Sequence, residues 1–441
     1  MRTYATQKTA LLAVAIIALA LVCLLSCSRG ERPTTVIRTV PNGATIIVQE
    51  NRGIHVVSVQ VWVRDGALYE PPDLVGEAML LHSALIDGRR DDELLRMAEE
   101  FSALGGRVTG YPSYDFVSFI ATAPSRHFDR TARLMQKGLV GARIDEEDVA
   151  LARDAVSKHI ASYVKSEREH VYMAGLEALI PEHPYSVSSY GTMRRIDGLT
   201  AEDLQKRYER MYVGENLVIS VAGDVDATDA ANLMESLFSG VPAGERAEPA
   251  STQLPWPTNL PRIVVDGTGE AAYMIVNYPA PAGDGEDVAY MDLLLMALAR
   301  SRVSLLNVAL TRDNDLVSDV GGGWGTHIQP YPFQAWMHLP PENVSAADQI
   351  TTETFASLAE EEISQDELER LKNLLLTEVA MGHELAMDQA SYRGYWTIVG
   401  GEDFIDNYFS RIESATPEDL RRTAEKYFAP EGHLTTALMP Q

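Results

Sequence analysis

The chain has 441 residues, a formal charge of −26 at pH 7 and a 46% share of hydrophobic residues. At roughly 100–200 residues per domain, that length implies two domains or more, each with enough apolar residues for its own core. A surface this acidic repels phosphate backbones and excludes nucleic acid as a partner; solubility is otherwise a sufficient reason for the charge.

Arg2 and Lys8 precede an apolar run of 15 residues, 11–25, shorter than the roughly 20 of a membrane-spanning helix. It ends in Leu24-Leu25-Ser26-Cys27. A small residue and then Cys, directly after such a run, resembles the lipobox of bacterial lipoproteins, in which the Cys is acylated and becomes the first mature residue. A plain signal peptide and a membrane anchor are the alternatives. Residues 1–26 are therefore read as a lipoprotein signal peptide, Cys27 as the lipidation site and 27–34 as a tether. Ser28 in place of Asp after the Cys resembles enterobacterial sorting to the outer membrane, facing the periplasm. Cys23 and Cys27 are the only cysteines, so the mature chain can form neither an internal disulfide nor a Cys-based zinc site.

Residues 36–39 and 44–49 read as strands around the turn Pro41-Asn42-Gly43, and 55–63 as a third strand. Residues 76–88, GEAMLLHSALIDG, read as a helix with Gly at each end. A second helix is expected over 91–104, two strands over 107–122 around Pro112, and helices over 129–140 and 145–165. Residues 201–212 read as a helix with Thr200 as N-cap, and 216–222 as a strand. Prolines 242, 249, 255, 257 and 261 mark 242–261 as a linker. Beyond it, 263–265 and 272–278 read as strands and 287–299 as a helix. The run Gly321-Gly-Gly-Trp-Gly325 lacks the Lys and the strand–loop–helix order of a phosphate loop, and is expected to be a flexible turn or strand kink.

Thr200-Ala-Glu-Asp-Leu204 recurs 216 residues later as Thr416-Pro-Glu-Asp-Leu420, with Glu209, Tyr212 and Glu215 matched by Glu425, Phe428 and Glu431. Residues 144–148 recur at 363–367, an offset of 219. Two matches in order argue for a tandem duplication. The expected fold class is α+β: two homologous tandem α+β domains, 35–241 and 262–441, each a largely antiparallel sheet packed with helices.

Several motifs resemble the pitrilysin/insulinase-like metallopeptidases, which include the mitochondrial processing peptidase. They are Pro41-Asn-Gly43, Trp62-Val-Arg-Asp-Gly66 followed by Glu70, His183-Pro-Tyr185 followed by Gly191-Thr192, and 200–212 followed by a strand ending in Ala222-Gly-Asp224. The resemblance runs from about residue 35 to 440. It implies zinc held by His-x-x-Glu-His on the first long helix and by a later Glu, with the motif's Glu activating water. Where the family reads Gly-x-Ala-His-x-x-Glu-His, this chain reads Gly76-Glu-Ala-Met-Leu-Leu-His-Ser83. Met79 and Ser83 take the ligand positions, His82 the base position, and His159 the place of the distal Glu. Zinc, expected in the family, is thus not supported here: no cofactor and no catalytic residue is assigned. Glu167-Arg-Glu-His170 and His383-Glu384 hold ligand-type residues but lack a second His at the right spacing. His82 and His159 read either as an altered metal site or as two partly buried, hydrogen-bonded histidines filling the old one.

Family members without the zinc motif supply an Arg and a Tyr from the second half to hold the substrate backbone. Those positions fall here on Thr311, with Arg312 adjacent, and on Ser318. Three functions follow from the resemblance. The first is a non-catalytic subunit, lipid-anchored in the bacterial envelope, pairing with a zinc-bearing homologue to form a peptide-degrading chamber. The second is an envelope scaffold or chaperone, a homodimer or in complex with unrelated proteins, that holds unfolded peptides without a protease partner. The third is a metallopeptidase with rearranged ligands.

Overall fold

The computed structural model describes residues 34–87, 97–250 and 256–441. The leader, Cys27, most of the tether, Gly88, the start of the second expected helix and Pro255 lie outside these residues. The first half runs β1 (Thr35–Thr39), β2 (Thr45–Glu50), β3 (Val56–Val63), α1 (Glu77–Asp87), α2 (Met97–Ala103), β4 (Arg107–Pro112), β5 (Val117–Pro124), α3 (Phe128–Leu139), α4 (Glu146–Val164), α5 (Glu167–Leu179), α6 (Met193–Asp197), α7 (Ala201–Met211), β6 (Leu217–Gly223) and α8 (Ala227–Phe238). The second runs β7 (Ile263–Gly267), β8 (Ala272–Tyr278), α9 (Val288–Leu298), α10 (Leu305–Asn307), β9 (Asp319–Trp324), β10 (Phe333–Leu339), α11 (Val344–Glu360), α12 (Gln365–Met381), α13 (Ala386–Val399), α14 (Phe404–Ser414), α15 (Pro417–Tyr427) and β11 (Leu434–Pro440). Among the described residues no helix is long and apolar enough to cross a membrane.

The first sheet has the order β1-β2-β6-β3-β5-β4, and the second β7-β11-β8-β10-β9. Without β1, the first order maps strand for strand onto the second. Each sheet has one parallel pair, β2 with β6 and β7 with β11; its other pairs are antiparallel. The internal sequence match is visible in side chains too. Thr200 accepts from the Asp203 N–H while Asp203 accepts from the Thr200 N–H, and Thr416 and Asp419 repeat this reciprocal cap on α15. Asp145 and Ser364 likewise cap the equivalent helices α4 and α12.

Each sheet buries one apolar face under helices of its own half. Val57, Val59, Val61 and Val63 of β3 alternate into the first core, while Met274 and Val276 of β8 enter the second. The opposite face of each sheet is covered by a helix from the other half, α13 on the first sheet and α5 on the second. Sequence patterning does not anticipate either helix. The β3 residues under α13 are Ser58, Gln60 and Trp62, all buried, so alternation alone would assign this face to solvent. Its polar atoms instead bond to α13: Gln60 Nε2 donates to Met387 O (2.8 Å) and Ser220 Oγ to Ala390 O (2.7 Å). Arg64 donates to the carbonyls of Thr397 and Ile398 at the end of that helix.

The two covering helices carry glycine at equivalent positions, Gly175 and Gly394, 219 residues apart. A Cβ at Gly394 would lie 2.3 Å from Trp62 Nε1, and one at Gly175 would lie 3.3 Å from Thr436 Cγ2. The Gly run at 321–323 is neither turn nor kink but the regular edge strand β9. Trp336 of β10 lies over Gly321 and Gly323, while Gly322 faces Ala299. The glycines thus clear room on both faces of the strand.

In the second core, Asp292 of α9 accepts from Tyr408 Oη (2.6 Å) and Trp324 Nε1 (3.0 Å). Burial pushes its carboxyl up to about 6, against these two donors. A raised acid favours its protonated form in the folded state, so its contribution to stability is full below 3.8 and is lost as pH rises through about 6. Asp292→Asn should therefore flatten the pH dependence of the urea midpoint between pH 4 and 7. Gly394→Ala should cost about 1–3 kcal/mol by overpacking against Trp62, and Gly175→Ala, which asks Thr436 to give by only a few tenths of an ångström, should cost clearly less; denaturant titration measures both.

Candidate functional site

The N-terminus of α1 is held by one carboxylate. Glu70 Oε2 accepts from the backbone N–H of Gly76 (2.7 Å) and Glu77 (3.1 Å), and Oε1 from that of Ala78 (2.8 Å). These are N–H groups that a helix start leaves without partners. Gly76 has φ +130°, and its Cα packs against Gly191, a backbone geometry that needs glycine. Arg207 of α7, 1% exposed, bridges Asp65 (2.5 Å), Glu70 (3.2 Å) and Glu77 (3.3 Å). Burial alone would lower the Arg207 pKa, but these three carboxylates raise it, keeping the guanidinium charged.

So anchored, α1 packs on α4 and α7. Met79, His82 and Ser83 of α1 and His159 of α4 line a single cavity of about 550 Å³. The structure therefore brings together the four positions that the resemblance singled out. The two histidines differ from the hydrogen-bonded, half-buried pair expected. His82 is 4% exposed, its ring tilted on Phe119 at 4.7 Å and its Nε2 pressed against Gly110, where a Cβ would sit 2.2 Å away. Its Nδ1 has no hydrogen-bond partner among the described residues. Burial lowers its pKa to about 3, so the ring is neutral at physiological pH. His159 is exposed and stacks on Tyr190 at 5.2 Å and 16°.

A catalytic zinc takes about three protein ligands and a structural one about four, from thiolate, imidazole or carboxylate. This site offers two imidazoles, a thioether and a hydroxyl. Among the described residues no three His, Cys, Asp or Glu side chains gather closely enough to hold an ion. The residues present do not fit the zinc that the resemblance implies.

Thr311, Arg312 and Ser318 are not among the residues lining the cavity. Residues Val308–Arg312 form a π-turn. The exposed Arg312 pairs with its neighbour Asp313 (3.0 Å), and Ser318 bonds through N–H and Oγ to His338 O. The second half instead contributes His327 and Tyr331, from the loop after β9. His327 Nδ1 lies 2.5 Å from Asp115 Oδ2, and Asp115 also accepts from Tyr185 Oη. His183 accepts the Tyr185 N–H on Nδ1 (3.1 Å), so its Nε2 donates to Gln329 Oε1 (2.7 Å). Burial lowers the pKa of His183. Tyr172 and Tyr331 share a hydroxyl contact across the same seam. Sequence reading missed this wall. Its signal was a His and a Tyr in a Pro-containing loop, Gly325 to Pro332, which looks like any surface turn.

Comparison with known proteins agrees with this fold. A family model described as Insulinase (Peptidase family M16) matches residues 45–192, and one described as Peptidase M16 inactive domain matches 198–375. An uncharacterized zinc protease of Streptomyces coelicolor is 23% identical over 404 residues, covering 90% of this chain and 88% of its own. One of Bacillus subtilis is 19% identical over 392 residues, covering 88% and 95%. Among solved structures, a protease from Helicobacter pylori superposes with a TM-score of 0.83 at 19% identity, over 93% of this chain and 100% of the other. A peptidase M16 inactive domain from Pseudomonas fluorescens gives 0.81 at 16% identity, over 92% and 98%.

An unpartnered buried polar atom costs about 1–3 kcal/mol. His82→Leu should therefore raise the unfolding free energy by about 1 kcal/mol. Because a depressed base resists protonation in the folded state, wild-type stability should fall as pH drops from 6.5 toward 3, and the variant should lose that component. Denaturation at pH 7 and pH 4 reads both effects.

Proposed function

The chain belongs to the insulinase (M16) peptidase family, and from that premise we propose that it is a non-catalytic member that holds peptides rather than cutting them. The observation that carries this reading is the cavity at α1 and α4. The family's four chemical positions meet there as Met79, His82, Ser83 and His159. None is a carboxylate that could activate water, and His82, at the base position, is neutral and enclosed.

What remains favours binding. Strand β4 is one of the two edges of the first sheet and, among the described residues, pairs only with β5; Gly110 to Pro112 of that strand border the cavity. Its outward N–H and C=O groups can add an extended peptide as a further strand, with the cavity taking one of its side chains. We place the chain in the bacterial envelope, anchored through a lipidated Cys27 to the outer membrane and facing the periplasm, where it pairs with a zinc-bearing homologue to complete a peptide-enclosing chamber. A homodimeric scaffold without a protease partner uses the same edge and cavity.

Affinity purification from the native envelope separates these readings. The expected eluate contains a second M16 chain with an intact His-x-x-Glu-His motif, and only the mixture cleaves unfolded peptides. The protein alone should carry less than about 0.1 zinc per chain and show no peptidase activity. Stoichiometric zinc together with activity in the isolated chain would falsify the non-catalytic reading, and a homodimer without a second M16 chain would leave the scaffold.

A further inference from the structure

The cavity at α1 has a counterpart on the other face of β4. In β4, Gly110 faces His82 and Ile86 on the α1 side. The alternation of a strand then turns Arg107, Thr109 and Tyr111 toward α13. Arg107 reaches Met387 of that helix, with Nη2 donating to Sδ at 3.7 Å. On this side lies a second hollow, also of about 550 Å³, whose walls include Trp62, Phe116, Ile120, Met387, Tyr392 and Tyr395. Gly110 and Tyr111 border both hollows, which thus lie on the two faces of the same edge strand.

The second hollow is apolar and pre-formed. Trp62 in its wall is fixed by donating to Gln60 Oε1 (3.0 Å), and Gln60 is fixed in turn by Met387 O and Ser391. Tyr111 in its wall is 61% exposed, and two further apolar side chains close in sequence to the lining residues Gly382, His383 and Met387 are exposed as well, Met381 at 67% and Leu385 at 57%. Apolar side chains grouped at a concave surface mark a binding site, and methionine suits varied partners. Asp388 is the only formally charged side chain in the lining, and it disfavours acidic ligands.

We infer that this second hollow binds apolar side chains of an extended peptide paired to β4, so that the protein grips such a peptide on both faces at once. The inference rests on the peptide-holding reading above. A strand added to β4 continues its pleat, and its successive side chains point alternately to the two faces. Residues of one parity then enter the tyrosine- and histidine-lined cavity at α1, and those of the other parity enter the hollow under α13. The preferred ligand class is an extended segment with consecutive large uncharged side chains, as unfolded chains expose.

Two fluorescent peptides of equal length test this by anisotropy, one with consecutive Leu and Phe residues and one with every second residue replaced by Lys. The proteins are wild type, Met387→Asp and Leu385→Asp; Leu385 is exposed, so its variant keeps the fold if Met387→Asp does not. Wild type should prefer the all-apolar peptide by about tenfold or more. Either variant should lose most of that preference and gain affinity for the alternating Lys peptide, whose basic face now meets the added carboxylate. If both peptides bind wild type and the variants alike, the second hollow plays no part, although peptide holding at the edge stands. If neither peptide binds wild type, the peptide-holding reading falls and this inference with it.

Discussion

The buried cluster of Arg207, Asp65, Glu70 and Glu77 is the constraint on which the site depends. Isolated, any one of these charges would be too costly to bury. Together they tie four separate pieces of chain to one point: the end of β3, the turn after it, the first turn of α1, and α7. Glu70 adds three backbone N–H groups at the start of α1, those of Gly76, Glu77 and Ala78, so the helix start is fixed by charge as well as by packing. Breaking such a cluster by removing one partner costs about 3–5 kcal/mol. That cost gives a physical reason for α1 to keep its place when the side chains further along it no longer suit a metal. Position and chemistry are separable here, because the cluster that sets the one contains none of the residues that would perform the other.

The second organising feature is the exchange of helices between halves. Each half supplies the cover for the other's sheet, α5 for the second and α13 for the first, with a glycine in each allowing close approach. The two halves are therefore one structure with a near-repeat inside it. The same arrangement forms the wall of the second hollow, because α13 packs on β3 and β6 and its first turn, at Met387, lies beside Arg107 of β4.

Most of the first half's order was legible in sequence, and the reasons are local. Thr200 with Asp203 and Thr416 with Asp419 are capping signals whose geometry involves only neighbouring residues. The valines of β3 alternate because one face is apolar. The helices α5 and α13 were not legible, because each lies between two sheets or other helices and lacks one clean apolar stripe. Gly321 to Gly323 misled for a related reason. Glycine in a strand reads as a break until the partner strand's Trp336 is placed over it. At the site, Met79, His82, Ser83 and His159 could be located from flanking motifs, whereas His327 and Tyr331 could not. They reach the cavity only through the seam with Asp115, His183 and Tyr172, contacts separated by more than a hundred residues of chain.

The row of buried polar side chains under α13 has a consequence for how the protein comes into being. Synthesis proceeds from the N-terminus, and early segments tend to collapse before late ones exist. The first sheet spans residues 35–223, yet its cover begins at Ala386. For the time taken to make more than 160 further residues, one face of that sheet stands open to water. An apolar face left open for so long would invite association with other nascent chains. Ser58, Gln60 and Ser220 keep it wettable during the wait; Gln60 and Ser220 then find partners in the backbone and Ser391 of α13 when it arrives, while Ser58 bonds within the sheet to Ala121 O and Gln60. Polar residues that look costly in the finished core are in this light a provision for an unfinished one.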